Sequence, residues 1–297
     1  YKFSGLFDFS IINYIKNIFI KNNKSRSKEN ISKHYDLGNE FFSLWLDPSL
    51  TYSSAIFEKN ESNLESAQIN KYQKLLSLIN PKSGDKILEI GCGWGGFAEF
   101  VGKNYDVKMD CITISKKQFD YASKRIFENG LNEKVKIKLK DYRDIKEKYN
   151  SIASIEMIEA VGKNYLSNFF NTIKSNLSEK GLAAIQTITI DDDLFERYKT
   201  KQDFIRKYIF PGGFLPSKKS LYNLSSSKGL LINSYDSYGF HYSNTLQLWR
   251  NEFINKWDQI SRQGFDINFK RMWHFYLSYC EAGFKSKNID LIQFSLQ

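Results

Sequence analysis

The feature that most constrains this chain is an apolar, β-prone run ending in glycines: Lys86-Ile87-Leu88-Glu89-Ile90, then Gly91-Cys92-Gly93-Trp94-Gly95-Gly96. The run reads as a buried parallel strand, and residues 97–103 behind it read as a helix. A strand, a glycine-rich turn and a helix start bring backbone N–H groups up to a ligand. A Cβ there would block both the tight turn and the ligand's approach. The spacing satisfies G-x-G-x-G and, through Gly96, also the G-x-G-x-x-G of dinucleotide sites. The glycines alone therefore leave two ligands open, a dinucleotide and a nucleoside such as S-adenosylmethionine. Glu89 tilts the reading toward the nucleoside, because a carboxylate can meet the positively charged amino-acid end of that ligand. Glu89, Gly91, Cys92, Gly93, Trp94 and Gly95 are accordingly read as cofactor contacts.

Downstream, strands at 107–112, 135–140, 151–155 and 182–190 alternate with helices at 116–129 and 165–177. This rhythm predicts an α/β fold with a parallel, doubly wound sheet, whose ligands bind beyond the C-terminal strand ends. The strand-end residues are thus the ones that carry chemistry. Thr113 and Ser115, with Gln118 one turn into the helix, are candidates for ribose hydroxyls. Asp141 can accept from an adenine amine and Tyr142 can stack on the ring. Glu156 and Glu159 sit at the fourth strand end, nearest to where a sulfonium methyl group should point. Buried acids need a proton, a cation or a hydrogen-bond network, which marks both as site candidates.

Past residue 190 the rhythm breaks. Asp191-Asp192-Asp193 predicts a helix running to about residue 209, followed by a stiff Gly/Pro turn at 210–217. A helix at 218–228 leads to a strand at 230–235. Two aromatic-rich helical stretches follow, one carrying Leu246, Trp249, Phe253, Trp257 and Ile260, the other Phe269, Met272, Trp273, Tyr276, Leu277 and Cys280. They read as an insertion covering the site, before a last strand at 289–296. Taken one by one, such aromatics are more often core than cofactor contacts.

Two segments precede the sheet. Residues 1–30 combine an amphipathic helix (Ile11, Ile12, Tyr14, Ile15, Ile18, Phe19) with a basic run at 21–28. This unit suits an anionic bilayer and equally suits a helix docked on its own protein, followed by a solvated linker. Residues 31–60 interleave polar and aromatic side chains as in a lid facing a ligand, and a helix is predicted at 64–79 with Asn63 or Ser62 as its cap. The chain opens on Tyr1 rather than Met, which reads as a piece of a longer protein. No paired cysteine spacing, signal peptide or run of about 18 apolar residues is seen, which points to a reducing compartment and away from a membrane span. Forty-three Lys and Arg stand against thirty-three Asp and Glu. That balance fits an anionic partner, nucleic acid or an acidic membrane, and fits equally an Asn-, Ile- and Lys-rich genome bias. Aromatic residues make up 16% of the chain, which suits a large apolar cavity.

From about residue 30 to the C-terminus the chain resembles the cyclopropane-fatty-acid synthases, a family that includes the mycolic acid cyclopropane synthases. The residues that carry the resemblance are His34 through Phe42, Asp47-Pro48 through Phe57, the glycine stretch, Thr113 to Gln118, Glu156 to Gly162, Phe210 to Ser217, His241-Tyr242 through Trp249, and Glu281-Ala282-Gly283-Phe284. The resemblance implies a class I methyltransferase sheet with an antiparallel last strand. It also implies a catalytic domain over 31–297, with a lid at 31–80 and acyl-chain-covering helices at 191–228 and 243–285. The implied reaction moves the methyl group of S-adenosylmethionine to the cis double bond of an unsaturated phospholipid acyl chain. An acyl carbocation follows, then proton loss and ring closure. A methyl or methylene branch, or a different small-molecule acceptor, is the alternative product. Tyr35, Tyr52, Ser53, Gly91, Gly93, Thr113, Ile114, Gln118, Tyr142 and Arg143 are implied around the cofactor.

The resemblance implies a bound bicarbonate ion that is the base or assists it, usually held by a Cys, a Glu, a His, an Ile and a Tyr. Glu159, Ile188 and Tyr242 match, whereas Ser54 stands at the Cys position and Gln186 at the His position. Neither Ser nor Gln carries a proton or charge as His does. His241 is open to two readings, compensation for that missing His or a structural role. The implied partners are acyl chains and an anionic membrane surface, with no nucleic acid, no metal and a homodimer as a possible assembly. The implied location is cytoplasmic, on the inner face of the membrane.

Overall fold

The computed structural model describes residues 37–59 and 63–297. The amphipathic helix expected within 1–30, along with His34 and Tyr35, lies outside the described residues. Local sequence sets most element boundaries. Helix α1 (Asn39–Ser43) lies in the lid, and helix α2 (Leu64–Ser77) is capped by Asn63, whose side chain accepts from Ser66 N–H. Strand β1 (Lys86–Ile90) runs into the glycine turn and α3 (Gly96–Asn104). Then come β2 (Lys108–Thr113), α4 (Lys116–Glu128), β3 (Val135–Leu139), β4 (Tyr149–Ile155), the short α5 (Ile158–Val161), α6 (Leu166–Asn176) and β5 (Leu177–Ile190). The C-terminal part adds α7 (Asp192–Thr200), α8 (Lys218–Ser226), β6 (Ile232–Ser237), α9 (Gly239–Asn255), α10 (Trp257–Ser261), α11 (Ile267–Lys285) and β7 (Ile289–Leu296).

One seven-stranded sheet has the order β3-β2-β1-β4-β5-β7-β6. Strands β1 to β5 pair in parallel, and β7 lies antiparallel between β5 and β6. Apolar side chains cover both faces of the central strands. Tyr72, Leu75, Phe97, Val101 and Ile126 pack on one face, and Phe169, Phe170 and Leu221 pack on the other. A third cluster, rich in aromatics, joins α1 to α9 and α11 through Phe41, Phe42, Trp45, Trp249, Phe253 and Trp273. It mounts the lid and the insertion on each other beside the strand ends.

The structure corrects two expectations here. The helix predicted from 191 to about 209 stops at Thr200, and a single π-helical turn resumes at Ile205–Ile209. The chain doubles back because the Arg206 guanidinium donates to the Tyr198 carbonyl at 2.9 Å and lies over the Tyr198 ring. Asp203 then restarts the turn by accepting from Arg206 N–H. The second correction concerns α8. Its inner side, Leu221, joins the core between α6 and the edge of the sheet, and none of its residues faces the cavity described next.

Candidate active site

The C-terminal ends of β1, β2, β4 and β5, the lid and the helical insertion enclose a cavity of about 1380 Å³. Ligand pockets commonly hold roughly 300–1,000 Å³, so this one has room for a nucleoside and a second molecule.

At the β1 end, backbone geometry requires glycine. Gly91 has φ +86°, and a Cβ there would lie 2.9 Å from Met157 Cγ. Gly95, at φ +84°, turns the chain into α3 with its own Cβ position 3.1 Å from Ala122 Cβ. Glu89 is buried and faces the cavity, and its Oε2 has no hydrogen-bond partner within the protein. Burial pushes its carboxyl up to about 7, an effect that a bond from Cys111 and the charge of Lys71 oppose. A buried carboxylate with one unpartnered oxygen beside a glycine cradle fits the cationic amino-acid end of S-adenosylmethionine. Thr113 donates to Gln118 Oε1 at 2.9 Å, and both line the cavity with Ile114. Tyr52, Ser53, Cys92, Gly93, Trp94, Asp141, Tyr142 and Arg143 line it as well. Trp94 Nε1 donates to Asn39 and so ties the loop to the lid. The Tyr142 hydroxyl is buried without a partner, and burial pushes it up to about 12.

Several residues depart from their sequence-based roles. Ser115 is not at the cavity wall. It caps α4 by accepting from Gln118 N–H. Gly95 also stands behind the wall, packed on α4. The Asp141 carboxylate is bound by the Arg143 guanidinium at 2.6 and 2.8 Å and by Arg143 N–H. His241 is structural: its Nδ1 accepts from Phe57 N–H at 3.0 Å, and burial holds its pKa below the usual value.

At the β4–β5 end, the residues implied for a bicarbonate ion do converge, but around protein carboxylates. Glu156 Oε1 accepts from Ser54 N–H and from Gln186 Nε2, each at 2.9 Å, and its Oε2 accepts from the Tyr242 hydroxyl at 2.6 Å. Glu159 Oε1 accepts from Ile188 N–H at 2.5 Å and from the Thr187 hydroxyl at 2.8 Å. The donors are therefore already engaged with two acids, and the set does not fit a further anion. The Ser54 hydroxyl turns away to the Ala55 carbonyl. Burial raises both carboxyls. Glu159 reaches about 8, raised further by the charge of Glu156. Glu156, with donors on both oxygens and Lys71 nearby, is the better-stabilised anion of the pair, so Glu159 holds the proton.

Lys71 and Gln293 escaped the sequence reading. Lys71 is fully buried and donates to Ser53 Oγ at 2.8 Å. Burial lowers its pKa to about 7, against the pull of Glu156, Asp47 and Glu89. Its signal was a lysine on the apolar stripe Ala67-Lys71-Leu75 of α2. Gln293 donates to Gln186 Oε1 at 2.8 Å, which aims the Gln186 amide nitrogen at Glu156. Its signal was a polar residue flanked by Ile292 and Phe294 in the last strand.

Comparison with known proteins agrees with this geometry. A mycobacterial cyclopropane synthase structure, MmaA2 of Mycobacterium tuberculosis, superposes with a TM-score of 0.85 at 29% identity, covering 91% of this chain and 97% of that one. The CmaA1 mycolic acid cyclopropane synthase complexed with SAH and CTAB gives the same score and identity, covering 91% and 98%. Among curated proteins, the tuberculostearic acid methyltransferase UfaA1 of Mycobacterium tuberculosis is 36% identical over 92% of this chain. The cyclopropane-fatty-acyl-phospholipid synthase of Escherichia coli is 37% identical over 88%. The chain spans 66% and 65% of the length of those two relatives. The family model described as mycolic acid cyclopropane synthetase matches residues 22–294, and the chain belongs to that family.

Proposed function

We propose that the protein transfers the methyl group of S-adenosylmethionine to the cis double bond of an unsaturated phospholipid acyl chain. The observation that carries this reading is one cavity with two unlike ends, a glycine-and-carboxylate cradle and an apolar, aromatic chamber, which meet at Glu156 and Glu159. The cofactor cradle comprises Glu89, Gly91, Gly93, Thr113, Gln118 and Tyr142, and bound S-adenosylmethionine supplies an electrophilic methyl group there. Ile190, Leu194, Phe210, Phe214, Leu246 and Phe284 wall the other chamber, which suits an acyl chain and keeps water from a carbocation. Aromatic faces of Tyr276 and Phe284 can stabilise such a cation.

Access from a bilayer is part of the proposal. The exposed cations Arg197 and Lys201 line the mouth of the cavity beside Tyr208, Phe275 and Tyr279, which are 55%, 49% and 44% exposed. Cations next to exposed aromatic rings suit an anionic headgroup and the interfacial layer. Among the described residues no helix is long and apolar enough to cross a membrane. Proton loss from the acyl cation with ring closure is the first reading of the product. The changed set at Ser54 and Gln186 favours a second, a methyl or methylene branch.

Purified protein, methyl-labelled S-adenosylmethionine and vesicles of unsaturated phospholipid test the reaction. Label in the unsaturated lipid, with none in a fully saturated one, is the expected result. Label confined to other acceptors would sink the reading. Proton NMR of the released fatty acid then separates a ring from a branch.

A further inference from the structure

We infer that the Glu156 carboxylate is the resident proton acceptor of this site, taking the place that a bound anion would otherwise fill. The inference rests on the acyl-methylating reading above. Its basis is the position of Glu156. The residue follows β4 directly, with φ +49°, a left-handed conformation that side chains other than glycine seldom hold. Such a backbone persists only when its surroundings over-determine it. Here they do: Glu156 N–H donates to the Gln186 carbonyl at 2.8 Å, and the side chain is held by Ser54, Gln186 and Tyr242. The contorted strand end thus delivers a carboxylate to the cavity wall, into a nest of donors.

The nest is itself built to face a negative charge. Gln293 fixes the Gln186 amide so that its nitrogen points at Glu156. The Tyr242 hydroxyl can donate there only while Glu156 accepts. The ionisable groups that act on the carboxylate are Lys71 from α2, Glu159 from α5 and Tyr242 from α9. Glu159 is the acid whose Oε2 stays unpartnered, so it suits the proton-bearing member and leaves Glu156 as the base.

The step is a proton transfer. One C–H bond of the alkylated acyl cation breaks and its electron pair stays on carbon, quenching the cationic centre as a ring bond or a double bond. The proton passes to a Glu156 oxygen, which becomes a carboxylic acid and returns the proton to solvent after turnover.

The test compares wild-type protein with E156G and E156Q in carbonate-stripped buffer. Glycine tolerates φ +49° and vacates the nest, so E156G should fold. Calorimetry of S-adenosylmethionine binding checks both variants. We expect wild-type turnover to be indifferent to added bicarbonate. Both variants should lose about 100-fold or more in turnover, the usual contribution of a positioned base, with cofactor affinity retained. Added formate or bicarbonate should restore E156G in a saturable way and leave E156Q, whose nest is filled, unrestored. Three outcomes overturn the inference: a wild-type protein that needs bicarbonate, an E156G variant as active as wild type without it, or a loss in E156G that no small carboxylate restores. A wild-type protein inert toward every unsaturated phospholipid overturns the proposed reaction itself, and is told apart because no variant is needed to see it.

Discussion

The two ends of the cavity solve opposite problems. At the β1–β2 end the chain removes its own bulk: glycines clear the floor, hydroxyl and amide groups line the wall, and one buried carboxylate, Glu89, keeps an unpartnered oxygen. At the β4–β5 end the chain fills the space with its own charge. Glu156 and Glu159 take up donors from Ser54, Gln186, Thr187, Ile188 and Tyr242. The first end is complementary to a ligand and the second is largely complementary to itself. On the proposed reading, the contrast divides affinity from proton transfer between the two ends. Lys71 lies between them and biases both Glu89 and Glu156 toward the charged form.

Substitutions can break this division of labour. The largest effect is expected from Gly91→Val, which puts a branched side chain where even a Cβ would meet Met157 at 2.9 Å. Affinity for S-adenosylmethionine should fall more than about 100-fold by calorimetry, given strain at positive φ as well as the clash. Glu89→Gln should follow, with a loss of about 10- to 100-fold in the same affinity, the worth of one charge-assisted hydrogen bond. Single-turnover methyl transfer at saturating cofactor should change much less. A collapse of turnover at unchanged affinity in either variant would erase the distinction between the two ends.

Glu159→Gln sharpens the comparison through stability. The Glu159 carboxyl stands at about 8 in the fold and near 4.5 in the unfolded chain. Between those values the unfolded chain binds fewer protons, so wild-type stability declines as pH rises from about 5 to 8. Gln has no such proton. The variant should therefore gain on the wild type across this window, by about 2 °C or more in thermal midpoint at pH 8. A gap that stays flat between pH 5 and 8 would show Glu159 already ionised in the fold. The smallest effect is expected at the cavity mouth. Arg197→Ala should weaken sedimentation with anionic vesicles severalfold, at about 1 kcal/mol per cation, and lower its salt dependence. Cofactor affinity should not move.

Much of this was legible in order along the chain. The apolar run into Gly91, the alternation up to Ile190 and the cap Asn63 are local signals, and the sheet, its helices and the cofactor loop followed from them. The break at Thr200 was not legible. Residues 191–209 have helical composition throughout, and tertiary contacts such as that of Arg206 with Tyr198 fold them back. Ser115 misled for a related reason: a hydroxyl at a strand end serves a ligand or a helix cap equally well until the helix is placed.

The sequence by itself determined a methyltransferase-like α/β sheet, the cradle at Glu89 to Gly96, and the presence of Glu156 and Glu159 at one strand end, with Tyr242 added by the family resemblance. Only the tertiary structure decided what those acids face. Ser54, Gln186 and Tyr242 are separated from Glu156 by 102, 30 and 86 residues, and no period in the chain links them. Hydrophobic periodicity reports which side of an element is buried, whereas the partner of a buried polar atom depends on which elements the sheet order sets side by side. That is why Ser54 and Gln186 read as an altered anion site along the chain and, in the fold, became the holders of Glu156.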